Sequence, residues 1–210
     1  MALKRHTLTS PTRVEDDVLL DAAKNCVLAD GVRRTTLSSV ARAAEVSRMT
    51  LYRRFPDVRS LLAALMTREF GALLTRTGNA PDTGARTRTT ARERLVAAIV
   101  DGVCALSVDP LMRGVLDRDA DLLLPYLVER IGGVQRIAEQ FLREQLIAGH
   151  QDGSIRRGAP AVQARAVFLV AQSFVLSLRP ATRDLDRNAL IGELTQLLDA
   201  ALSPNPKENR

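Results

Sequence analysis

The sequence predicts an all-α fold, and three observations carry that prediction. Apolar residues recur at helical spacing along most of the chain, and no stretch alternates as a half-buried strand would. The composition rests on Ala, Leu, Val and Arg, mostly good helix formers, with 3% aromatic residues and no Trp. With 210 residues, 46% apolar and 26% charged, the chain can bury a sizeable core as one large domain or as a small plus a medium one.

Residues 1–13 are polar, include Pro11, and read as a flexible arm whose Lys4, Arg5 and Arg13 can reach phosphate. A first helix follows from Val14 to Asp30, where Leu19, Ala22, Ala23, Cys26 and Val27 fall at helical spacing and Gly31 supplies the stop. Thr35 and Thr36 offer a hydroxyl cap for a short second helix from Leu37 to about Ala44. Glu45 and Val46 leave room for a tight turn. Ser47 then caps a third helix, RMTLYRRF, in which Leu51 and Phe55 lie within about 40° of one another and so share a buried face. Pro56 ends it, having no N–H to donate. Asp57 opens a fourth helix with Val58, Leu61, Leu62, Leu65, Met66 and Phe70 as its stripe; residues 61–76 connect the basic region to the rest. Residues 77–90, rich in Gly and Thr, read as a loop. Helical patterns then run over about 88–107, 110–118, 121–131, 134–149, 160–179 and 186–202.

Charge is unevenly placed. Residues 1–60 hold eleven Lys or Arg against seven Asp or Glu, a net of +4, while the remaining 150 contribute only +2 of the total +6. A basic first third on a nearly neutral remainder suits contact with a polyanion, or is a solvated Arg-rich surface. Cys26 and Cys104 have neither CxxC nor metal-ligand spacing and read as buried thiols in a reducing compartment. The first residues lack the order of a secretory signal and no apolar run approaches the roughly 20 residues a membrane helix needs, so a cytoplasmic protein is expected. His6 and His150 have no recognisable partners, which argues against an enzyme; no cofactor and no metal are expected.

Two short helices joined by a tight turn and braced by a first helix form a helix-turn-helix plan. Ala41 is small enough for the crossing, and Leu51 and Phe55 anchor the second helix. Its outer arc is then free to enter a major groove about 12 Å wide. Ser47 caps that helix, and its exposed N–H groups suit a phosphate oxygen. Arg48 can hold guanine O6 and N7 together or be a solvated charge. Met49 and Thr50 can touch a thymine methyl, Tyr52 can reach phosphate through its hydroxyl, and Arg53, Arg54 and Arg59 can add sequence-independent affinity.

The run LLDAAKNCVLADGVRRTTLSSVARAAEVSRMTLYRRFPDVRSLLAALM resembles the amino-terminal domain of the TetR family of transcriptional regulators. Ala22-Ala23, Gly31, Thr35-Thr36, Val40-Ala41, Val46-Ser47, Thr50-Leu51-Tyr52 and Phe55-Pro56 carry the resemblance. It implies that Thr36, Ser47, Thr50 and Tyr52 contact phosphate or position the recognition helix, and that Arg48 and Met49 approach bases. Ser38 and Arg53 are lesser candidates. Three residues depart from the family pattern: Glu45 stands where the turn usually has glycine, Val58 where a lysine is frequent, and Met49 where glycine is frequent. The first implies either a different turn or a left-handed Glu45 at about 1 kcal/mol.

The resemblance further implies that residues 77–205 form a helical domain that dimerises and encloses a small-molecule pocket, so the expected partners are double-stranded DNA, a second copy of the chain and an effector. The last two helices offer Phe168, Ala171, Val175, Leu178, Leu190, Leu194 and Leu197 as a dimer surface. Asp101, Cys104, Tyr126, Phe141 and Gln172, polar or aromatic groups among apolar helices, are the pocket candidates, and the shortage of charge favours an apolar ligand. The function so implied is a homodimeric repressor that binds a pseudo-palindromic operator and is released by a small, apolar effector.

Overall fold

The computed structural model describes residues 11–78, 90–123 and 132–204. Among these the chain forms α1 (Pro11–Asp30), α2 (Leu37–Ala43), α3 (Arg48–Arg54), α4 (Val58–Gly78), α5 (Ala91–Val108), α6 (Pro110–Arg118), a 3-10 turn (Ala120–Leu123), α7 (Gly133–Gln151), α8 (Pro160–Ala181) and α9 (Arg187–Leu202), with no strand among the described residues. The all-α expectation holds. α1 begins at Pro11, ahead of the expected Val14, because proline is well suited to a first helical turn, where its missing N–H has no partner to lose. Residues 1–10 of the expected arm lie outside the described residues, as does most of the helix expected over 121–131, whose first residues form the 3-10 turn.

Side chains at the helix starts explain where the chain turns. The Asp57 carboxylate accepts the Ser60 N–H at 2.6 Å and opens α4, Thr90 and Glu93 form a reciprocal capping box on α5, and Asp109 caps α6 ahead of Pro110. Asp186 does the same for α9.

Two apolar clusters result. The first joins Leu19, Ala23 and Val27 of α1, Val40 and Ala41 of α2, Leu51 of α3, Leu61 and Leu65 of α4, and Leu106, Leu111 and Val115 from α5 and α6. The second draws Leu95, Leu146, Ala164, Leu194 and Leu198 from α5, α7, α8 and α9. Because α4 and α5 pack together and α6 touches α1, the first cluster reaches from the amino-terminal helices into the larger helical body.

A charged clamp holds α4 to α1: the Arg68 guanidinium donates to Asp21 and Glu69, both at 2.7 Å, and Lys24 pairs with Glu69 at 2.6 Å. Burial pushes the Glu69 carboxyl upward, but the hydrogen bonds from Lys24 and Arg68 outweigh it and leave the group below its ordinary value. A depressed carboxylate stabilises the fold above its unfolded pKa of about 4.3 and loses that contribution as pH falls through the folded value. Thermal melts of the chain and of Glu69→Gln are therefore expected to differ most above about pH 5 and to converge only as pH falls through the lowered folded-state pKa of Glu69.

α8 corrects one expectation. An 18-residue stretch of this 22-residue helix reaches a mean hydropathy of 1.5, long and apolar enough by length and composition alone to cross a membrane. In the fold it packs on α5 and α7, and Arg165 and Arg179 on it pair with Glu139 and Asp117.

Candidate functional site

The site is built on α2, the turn and α3. Thr36, not Thr35, is the cap of α2: its hydroxyl accepts the Ser39 N–H at 3.0 Å, while the Ser39 hydroxyl accepts the Thr36 N–H at 3.0 Å. Thr35 is buried and donates to the Gly31 carbonyl. Between the helices Glu45 adopts φ +55°, a left-handed conformation that L residues occupy at a cost, and the Val46 N–H closes the turn on the Ala41 carbonyl at 3.0 Å. Glu45→Gly is expected to raise stability by up to about 1 kcal/mol, offset in part by the freer unfolded chain, whereas Glu45→Val lowers it; chemical denaturation measures both.

Ser47 caps α3, accepting the Thr50 N–H at 3.1 Å, and its hydroxyl lies 2.8 Å from that of Thr50. Leu51 is fully buried and Phe55 nearly so, which orients the rest of the helix. Arg48, Met49, Tyr52 and Arg53 are exposed, Met49 by 77%. Thr36 is exposed and Ser38 half-buried. Arg54, expected to add sequence-independent affinity, is tied down: it forms a two-pronged ion pair with Asp16 of α1. A cleft of about 320 Å³ beside α3 is lined by Thr36, Ser38, Ser39, Arg42, Val46 and Arg48. Arg42 was missed in the sequence; its signal is an exposed position in the last turn of α2.

A second feature lies under this unit. A cavity of about 770 Å³ is walled mainly by apolar side chains of α4, α5, α7 and α8, among them Leu62, Met66, Phe70, Ile99, Phe141 and Phe168. Val32, Arg33, Thr35 and Thr36, from the α1–α2 connection, and Val58 and Arg59, from the first turn of α4, line it as well. Arg59, expected at phosphate, is exposed and borders this cavity.

The pocket candidates separate. Phe141 and Gln172 line the cavity, and Gln172 accepts a hydrogen bond from Gln135 at 3.0 Å. Asp101 is exposed on α5 and Cys104 is half-buried, and neither borders the cavity, because α5 turns its Ile99–Val103–Leu106 face there instead. Tyr126 lies outside the described residues.

The dimer candidates need correction too. Leu178 and Leu194 are 2% and 0% exposed, packed inside the second cluster of their own chain, and Phe168, Ala171 and Val175 line the cavity. Leu190 is half-buried against the same cluster, leaving Leu197, 58% exposed, as the one that faces out. The outward apolar face of α8 instead carries Val162, Leu169 and Val170.

The larger body grips the amino-terminal unit through a polar latch. Asp119, 2% exposed, accepts the Val32 N–H at 2.8 Å and lies 3.5 Å from Arg33 Nε. Arg33 Nη2 donates to Asp121 at 2.5 Å, a bond that raises the guanidinium pKa and lowers that of the Asp121 carboxyl. Arg118 donates to the Val27 carbonyl near the end of α1 at 3.1 Å. Gly31, at φ +86°, sits close by; a Cβ there would stand 3.2 Å from Asp119 Oδ2.

Residues 19–65 match the family described as bacterial regulatory proteins, tetR family. An uncharacterised HTH-type transcriptional regulator of Mycobacterium tuberculosis is 36% identical over 184 residues, covering 88% of this chain and 92% of the relative. Among solved structures, the Rhodococcus erythropolis repressor QsdR of the TetR family superposes with a TM-score of 0.67 at 17% identity, covering 91% of this chain and 96% of that one. The Bacillus subtilis regulator FadR, solved with stearoyl-CoA, gives 0.60 at 21% identity over 89% and 98% of the two chains.

Proposed function

The chain belongs to the TetR family of bacterial transcriptional regulators, and from that membership we propose that it acts as a cytoplasmic repressor, binding a pseudo-palindromic operator as a homodimer and leaving it when a small apolar effector fills the cavity. The observation that carries the reading is the packing of α3. With Leu51 and Phe55 turned inward, Arg48, Met49, Tyr52 and Arg53 form an outward arc beside the hydroxyls of Thr36, Ser47 and Thr50. Such an arc suits a major groove, with Arg48 and Met49 nearest base edges and the hydroxyls and Arg53 at the flanking phosphates.

Dimerisation is supported by the unpartnered apolar face of α8 at Val162, Leu169 and Val170, with Leu197 of α9. An effector with an apolar body is supported by the cavity lining, and FadR, similar in fold, was solved with stearoyl-CoA, whose acyl chain is such a body. The lever is α4. Its first turn lines the cavity at Val58 and Arg59, directly after Phe55 caps α3, so a ligand that displaces α4 moves the recognition helix. Release follows from differential affinity for two conformations, and a coupling of about 1–3 kcal/mol changes occupancy roughly 5- to 150-fold.

A salt-titrated binding assay tests the reading, comparing DNA from upstream of the protein's own gene with random duplex. Preferential binding to the upstream DNA, weakening steeply with salt, is expected. Equal affinity for both duplexes points to a non-specific or architectural binder, and no binding to either points to a helical adaptor or sequestering protein.

A further inference from the structure

The cavity does not distribute its charge evenly. Along its length the polar groups satisfy one another: Thr67 donates to the Ala63 carbonyl at 2.7 Å, Thr35 donates to the Gly31 carbonyl, and Gln135 donates to Gln172. Among the described lining residues the charged ones are Arg33, Arg59 and Asp121, which come from the α1–α2 connection, the first turn of α4 and the 3-10 turn. They belong to the end next to the amino-terminal helices. From there α4 lines the cavity from Val58 to Leu74, sixteen residue steps or about 24 Å of helix. A volume of about 770 Å³ drawn out over that length suits one extended chain better than a compact ring system.

We propose that the cavity binds a single-chain amphiphile with an anionic head, its acyl tail lying along α4 and its head seated at Arg33, where it displaces Asp121. The proposal rests on the effector reading above and deepens it. Arg33 is the residue best placed for this exchange. Its side chain is 64% exposed and so is open to an incoming anion, and its bond to Asp121 joins two exposed partners that a ligand carboxylate or phosphate can replace. Arg59 adds a second positive charge at the same end. The exchange also reaches DNA binding, because Arg33 is part of the latch through which Asp119 and Asp121 hold the chain between α1 and α2. Moving Arg33 from Asp121 to the head group loosens that latch next to Thr36, the cap of α2.

The test measures ligand binding to the DNA-free protein and, separately, its operator binding. Titrations use decanoate, dodecanoate, tetradecanoate and hexadecanoate, with hexadecanol as the uncharged counterpart and palmitoyl-CoA to distinguish a free carboxylate from a phosphate-bearing head. Each added methylene should tighten binding by up to about fourfold until the tail fills the cavity. Hexadecanoate or palmitoyl-CoA should bind about tenfold or more tightly than hexadecanol, and Arg33→Ala should cut that ratio severalfold, with Arg59 holding what remains; a ratio unchanged in Arg33→Ala overturns the head-group seat. Asp121→Asn, which removes the competing carboxylate, should tighten the anionic ligand. Failure of every ligand to bind, no dependence on chain length, or equal affinity of hexadecanol and both anions in the protein and in Arg33→Ala overturns the proposal. Because operator binding is scored without ligand, that result leaves the DNA-binding reading standing, and loss of operator preference leaves this one standing.

Discussion

Truncating Leu51 to Ala is expected to destabilise the protein by about 2–5 kcal/mol and to lower operator affinity with it. Leu51 is fully buried on a helix of seven residues, where it meets the cluster formed by α1, α2 and α4. A helix that short has little stability of its own, so its tertiary packing keeps it formed. Removing the side chain takes away both its transfer free energy and its contacts, and the cavity left behind adds to the loss in proportion to how little the neighbours relax. The contrast is Met49→Ala, two residues away and 77% exposed, which is expected to change stability by no more than about 0.5 kcal/mol. Urea denaturation of both variants checks the pair. Similar stabilities for the two would mean that α3 is not held by this face.

Arg48→Ala is expected to lose about 1–3 kcal/mol on the cognate operator and to relax base preference at one position of each half-site, whereas Arg53→Ala weakens all duplexes alike and reduces the salt slope by about one. The reason lies in where each sits on α3. Arg48 occupies the first turn, beside the cleft it shares with Thr36, Ser38 and Arg42, while Arg53 sits in the last turn, which the proposed docking sets nearer a phosphate than a base edge. Binding measured across a panel of operator variants and salt concentrations separates the two roles. An Arg48 variant with unchanged base preference would refute direct readout.

The amino-terminal helices were legible in the sequence because their determinants are local. Thr36, Ser47 and Pro56 mark helix ends through groups one to three residues away, and the spacing of Leu51 and Phe55 alone orients α3. Glu45 was legible as an alternative, and its φ of +55° settles it as a left-handed residue. The carboxyl-terminal part was harder to read. Helical spacing reveals that Leu62, Met66 and Phe70 share an apolar face, but a face packed on protein and a face bordering a void have the same period. α8 posed the same difficulty in another form. It is apolar nearly all round, so the stripe through Phe168, Ala171, Val175 and Leu178 could not be ranked against the one through Val162 and Leu169, and the structure turns the first inward. The latch between Arg33 and Asp121 joins residues 88 positions apart, beyond any local signal.

The most direct test of the central claim, that the outer face of α3 enters the major groove, is a methylation-interference footprint on the preferred DNA. The account predicts interference at guanine N7 positions in two major-groove segments about one helical turn apart, or a multiple of it, with a guanine in each half-site losing its effect in Arg48→Ala. Interference confined to the minor groove, or a pattern identical with and without Arg48, would contradict it.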